Sequence, residues 1–175
     1  MNRSEIEHII RACIGITGEQ SVVIIGSQAI LASFDSSQLP GEVTQSVEAD
    51  IMFLNDPEQQ LADLVDGSIG EFSLFHDTFG IYAQGVDETT AILPPGWKER
   101  LVELSNENTG GGAGLCLDPY DLCAAKLCAH REKDIHYVSS LLASGIISKQ
   151  LLVERVGTIE GHEHEKRAAL AFLVS

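Results

Sequence analysis

Apolar positions recur at helical spacing at the start of the chain and at strand spacing soon after. Ile6, Ile9, Ile10 and Cys13 fall on one helical stripe, which Gly15 and Gly18 close. Residues 21–25 form a short β-branched run and predict a buried strand, and the composition after Gly26-Ser27 predicts a helix to Phe34. Pro40-Gly41 marks a loop, and residues 47–54 predict a second strand. Asp56-Pro57 has the form of a helix start, with Asp56 as cap and an end near Val65, ahead of Gly67. Residues 71–76 and 80–86 predict two strands around an Asp77-Thr78 turn. Strand pieces follow at 91–93 and 101–104, then a loop in SNENTGGGAG. From Asp118 the pattern is helical: DPYDLCAAKLCAHR, a helix over about 132–142 ending at Gly145, and two more near 148–156 and 162–173. This order argues an α+β (α/β-like) fold, with a central mixed sheet over about 1–117 and a helical C-terminal part over about 118–175, in one unit spanning 1–175.

Composition narrows the class. With 175 residues and 44% of them hydrophobic, the chain can bury one proper core. The opening MNRSEIEHIIRACIG mixes charges into its apolar stripe and so reads as neither a signal peptide nor a membrane anchor, which predicts a cytoplasmic protein without membrane contact. Cys13, Cys116, Cys123 and Cys128 form no CxxC pair and predict reduced thiols used in packing. A formal net charge of -15 repels phosphate backbones and argues against generic nucleic-acid binding. Basic residues cluster once, in KLCAHREK at 126–133.

Two stretches carry the candidate chemistry. In the second strand, Glu48 and Asp50 alternate with Val47, Ala49 and Ile51, so the two carboxylates share a face about 7 Å apart along the strand. Buried without partners they would be costly, so they reach solvent or bind a cation such as Mg²⁺. Just before, a strand runs into Gly26-Ser27 and a helix, an arrangement that offers backbone N–H groups and a hydroxyl to an anion. Together the halves suit a nucleoside triphosphate and the metal that bridges its phosphates.

IIGSQAIL followed by EADIMF resembles the motif of the DNA polymerase β-like nucleotidyltransferase superfamily. DLCAAKLCAHREKD, residues 121–134, is similar to the helical motif D-L-x-x-x-K-L-x-x-x-R-x-K-D of abortive-infection toxin-like (AbiEii-like) nucleotidyltransferases and an uncharacterised bacterial branch beside them. The resemblance implies a nucleotidyltransferase fold and Mg²⁺-dependent transfer from a nucleoside triphosphate, in a toxin–antitoxin or phage-defence setting. It implies that Gly26 and Ser27 hold phosphate, with Lys126, Arg131 and Asp134 completing the phosphate site. Glu48, Asp50 and a third carboxylate would bind one or two Mg²⁺ ions. Asp87 is the candidate for the third place, with Asp77 and Glu88 competing. Glu48 stands where aspartate is commonest in the family. The acceptor is open between RNA and protein, and a protein partner or homodimer fits the same relatives. The alternative is a catalytically degenerate member used for nucleotide sensing or protein interaction.

Other features point away from chemistry. GGGAG at 110–114 lacks the Lys-[Ser/Thr] of a phosphate loop and reads as a flexible loop or lid. His162 and His164 would not share a helix face, His76 reads as structural, and Trp97 as packing the turn around it, with base stacking as its other use.

Overall fold

The computed structural model describes residues 1–174, so the final residue of the expected unit lies outside the described residues. Helix α1 (Arg3–Thr17) is fixed at both ends by its sequence. Asn2 and Glu5 form a reciprocal capping box, and Gly18 ends the helix at φ 74° with its N–H donated to Ile14. The stripe Ile6, Ile9, Ile10 and Cys13 is fully buried.

Five strands form one mixed sheet: β1 (Ser21–Ile24), β2 (Glu48–Met52), β3 (Tyr82–Gly85), β4 (Val102–Leu104) and β5 (Ala113–Cys116), in the order β3-β2-β1-β5-β4. β1 runs antiparallel to β2 and parallel to β5, β2 runs parallel to β3, and β4 is antiparallel to β5. Helix α1 and helix α2 (Gln60–Ile69) pack on each other and on the sheet. A Cβ on Gly114 of β5 would stand 2.5 Å from Ile10, so glycine there permits the close seat of α1. Gly110, Gly112 and Gly114 thus lie against the α1 side chains of Arg11, Ile14 and Ile10, and no glycine of GGGAG lines the cleft described below.

Helices α4 (Pro119–Ala129), α5 (Glu132–Ala143), α6 (Lys149–Gly157) and α7 (Glu163–Val174) form the helical part, with α4 touching the other three. Asp118 caps α4 through the N–H groups of Tyr120 and Asp121, and Pro119 occupies the first turn. Asp121, fully buried, accepts a two-bond fork from Arg100 at 2.9 and 3.0 Å and a third bond from Arg155 at 2.6 Å. It therefore ties α4 to α6 and to the segment before β4.

Several sequence expectations are corrected. The segment after Gly26 is a 3-10 helix (Ser27–Ala32) rather than an α-helix. α2 begins at Gln60, because Asp56 caps it from a distance through the N–H groups of Leu61 and Ala62, and it runs through Gly67. Residues 71–76 are not a strand: Ser73 caps a short helix, α3 (Leu74–Phe79), by accepting from His76 N–H, and Gly80 ends it at φ 69°. Residues 91–93 join no strand.

The four cysteines are buried and free, and burial pushes Cys13, Cys116 and Cys123 up to about 12, as packing thiols. Trp97 is buried in the hydrophobic core, and His162 and His164 are exposed. No helix among the described residues is long and apolar enough to cross a membrane.

Candidate active site

The C-terminal end of β1, the face of β2, the end of β3 and the α4–α5 corner enclose a cleft of about 840 Å³. Its floor carries charge of both signs, and Ile25, Val43, Val86, Ala91, Ile92 and Leu122 give it an apolar wall. The closest approach is between the two halves of the sequence motif. A Cβ on Gly26 would lie 1.7 Å from Asp50 Oδ2, so the absence of a side chain at Gly26 is what lets the Asp50 carboxylate occupy its position. The backbone reinforces this, with Ile25 N–H donating to Asp50 C=O at 3.2 Å.

Strand alternation puts Glu48 and Asp50 on the cleft side, while Ala49 and Ile51 are buried on the other. Burial and then the neighbouring Glu48 charge push Asp50 up to about 6, against the pull of Lys126. Glu48 is held from β3: its register partner Tyr82 donates to Glu48 Oε2 at 2.6 Å, and that bond, with burial, raises the Tyr82 hydroxyl well above its usual range.

Lys126 projects from α4 on the same face as Leu122 and Ala129, and all three line the cleft. Its Nζ donates to Ser27 Oγ at 2.8 Å and to Asp134 Oδ1 at 3.1 Å, and stands 4.4 Å from the centre of the Tyr137 ring. Burial lowers the Lys126 ammonium, with Asp134 pulling it back. Asp134 is fully buried; burial alone would raise it, but the hydrogen bond from Arg131 and the charge of Lys126 outweigh burial and hold it below its ordinary value. Arg131 binds it at 2.5 Å through Nε. Tyr137 donates to Ser27 C=O at 2.9 Å, so α5 fixes the Gly26-Ser27 turn from above. The α4–α5 corner that brings these groups together turns at His130, at φ 53°.

A family model described as a nucleotidyltransferase of unknown function (DUF6036) matches residues 4–172. The chain belongs to this nucleotidyltransferase family. No curated protein and no solved structure matches it. Membership implies a nucleotide as the substrate class of this nucleotidyltransferase-family chain.

Within the family member, the structure brings Gly26, Ser27, Glu48, Asp50, Lys126, Arg131 and Asp134 to one cleft. Asp87 does not join them. Its carboxylate accepts from Thr89 N–H at 2.7 Å, from the Thr89 hydroxyl at 2.5 Å and from Gln59 at 2.8 Å, as the cap of a 3-10 turn (Glu88–Thr90). Those bonds hold Asp87 below its ordinary value. Glu88 pairs with Lys98, Asp77 lies on α3, and neither lines the cleft. Among the described residues no three acidic, histidine or cysteine side chains form a metal-binding group. His76 takes Phe72 N–H and packs on Tyr82 outside the cleft.

Two of the cleft residues that the sequence did not point to, Gln84 and Tyr137, bear on the site, and Lys133, a position of the helical motif, joins them. Gln84 is the register partner of Asp50, a relation visible only once β2 and β3 are paired. Lys133, expected from the KLCAHREK cluster and the helical motif, lines the cleft with no ion-pair partner among the described residues. Tyr137 had no signal beyond its helical register with Asp134.

Proposed function

We propose that the chain transfers a nucleotidyl group from an Mg²⁺-bound nucleoside triphosphate to an acceptor hydroxyl. The observation that carries this reading is the contact of Gly26 with Asp50, which places a carboxylate pair directly beside a Ser27–Lys126–Arg131–Lys133 anion surface. The donor set suits one Mg²⁺, which needs one or two carboxylates and takes its other oxygens from water and phosphate. Glu48 and Asp50 would hold the ion, which would neutralise phosphate charge and keep the α-phosphate aligned.

The chain's own groups do the rest. Ser27 Oγ and Lys126 Nζ form a fixed donor pair for phosphate oxygens, and Asp134 keeps Lys126 aimed at the cleft floor. Lys133 and Arg131 at the rim meet the outer phosphates. The apolar wall of Val43, Val86 and Ile92 receives the base. The acceptor oxygen forms a bond to the α-phosphorus while the bond from that phosphorus to the bridging oxygen breaks, and pyrophosphate leaves with the electron pair. The acceptor proton passes to water in the open cleft. The resemblance to AbiEii-like proteins supports a toxin–antitoxin or phage-defence role, with RNA or protein as acceptor. A cytoplasmic location and a homodimer or protein partner belong to the same reading.

A second reading is favoured by the capped Asp87 and the amide of Gln84 beside the pair: a nucleotide-binding module without transfer. The two separate in cleared bacterial lysate given triphosphates labelled on the α- or the γ-phosphate. Transfer predicts α-label on a product, with release of pyrophosphate, lost in Asp50→Asn. Nucleotide bound with neither label moved would establish the binding module instead.

A further inference from the structure

We infer that Gln84 limits this cleft to a single divalent cation, so that the chain works with one metal ion delivered alongside the triphosphate. The inference rests on the nucleotidyl-transfer reading of the cleft and concerns the metal stoichiometry of that same site.

The geometry of β2 and β3 fixes which residue could extend the carboxylate pair. The strands run parallel with Glu48 opposite Tyr82 and Asp50 opposite Gln84. The hydrogen bond from Tyr82 to Glu48 shows that this row of side chains shares a face, and Gln84 lines the cleft on that face. Neighbouring strands lie about 4.8 Å apart, so position 84 is the nearest place on β3 from which a side chain could bridge ions beside Asp50. It carries an amide. An amide offers one neutral oxygen and two N–H donors, and supplies none of the negative charge that a second cation needs. Asp87, three residues on, is committed to Thr89 and Gln59.

Charge leads to the same result. Four carboxylates line the cleft, Glu42, Glu48, Asp50 and Asp134, against Lys126, Arg131 and Lys133; Glu42 lies apart from the pair, accepting from the Ser140 hydroxyl at 2.6 Å and standing 3.7 Å from His136. Two divalent ions set about 3.5–4 Å apart are ordinarily held by carboxylates that neutralise and bridge them. Here Asp134 is occupied by Lys126 and Arg131, and Glu42 by the Ser140 hydroxyl beside His136, leaving Glu48 and Asp50 for metal. The side chain of Gln84 is exposed in the cleft and has no structural partner among the described hydrogen bonds, so it is available to touch the ligand through its N–H groups. Gln84 thus determines metal number rather than fold.

The test is equilibrium dialysis of native protein, Gln84→Glu and Gln84→Asp against Mn²⁺ and an equimolar mixture of the four α,β-methylene ribonucleoside triphosphates, counting Mn and nucleotide on each chain. Circular dichroism and melting temperature establish that each variant is folded. The inference expects about one Mn²⁺ per bound nucleotide on the native chain and about two on at least one folded acidic variant, because a third carboxylate completes a two-ion site. About two Mn²⁺ on the native chain would overturn the inference while leaving the nucleotidyl-transfer reading intact. One on the native chain and on both folded variants would overturn the role of Gln84. Nucleotide bound without Mn²⁺, or neither bound, would overturn the inference together with the metal-dependent reading beneath it.

Discussion

Asp50 illustrates a residue whose placement costs stability for the sake of a site. Its carboxyl is pushed from 3.8 up to about 6 by burial and by Glu48. Between those values the folded chain keeps a proton that the unfolded chain releases, so stability falls as pH rises through the window, and the penalty is complete above about pH 6. Asp50→Asn removes the charge and is expected to melt higher than native protein at pH 8, by about 1–3 kcal/mol in chemical unfolding, with the gap closing toward pH 4.5. A variant less stable than native at pH 8 would show that the carboxylate is favourably partnered in the free protein. The same carboxylate explains Gly26. The sequence suggested a glycine that lets backbone approach phosphate, whereas a Cβ there would strike Asp50 first. Pairwise spacing along one strand was legible, but the contact between two strands was not, because register is a property of the sheet and not of either segment.

At the scale of elements, the strongly periodic or capped pieces were readable: α1 from its apolar stripe, β1 from its β-branched run, β2 from its alternation of acidic and apolar positions, and α4 from Asp118-Pro119. The misread pieces were short. Residues 71–76 alternate enough to suggest a strand, but Ser73 and Gly80 bracket a six-residue helix, and Phe75 and Phe79, four apart, pack on His8. The DLCAAKLCAHREKD motif divides by helix face. Lys126, Arg131 and Asp134 serve the cleft, while Asp121 faces away and binds Arg100 and Arg155. Asp121→Ala leaves two guanidinium groups without their shared buried carboxylate and is expected to cost about 3–5 kcal/mol in urea unfolding. A loss within experimental error would show that Asp118 alone can hold Arg155 and the α4–α6 contact.

For the whole molecule, the acidic surface and the basic corner of the cleft act in opposition. A net charge of -15 weakens long-range attraction for any polyanion, so under the proposed function nucleotide binding would depend on the few cations gathered at 126–133 and on the metal. The most direct test of that account is the melting temperature of native protein and Asp50→Asn with each nucleoside triphosphate, in Mg²⁺ and in EDTA. At about 100 times its dissociation constant a ligand adds roughly 2.7 kcal/mol, or about 5–10 °C for a chain of this size. The account predicts such a rise for native protein with at least one triphosphate in Mg²⁺, and its loss both in EDTA and in Asp50→Asn. No shift with any nucleotide, or an equal shift in EDTA and in the variant, would contradict it.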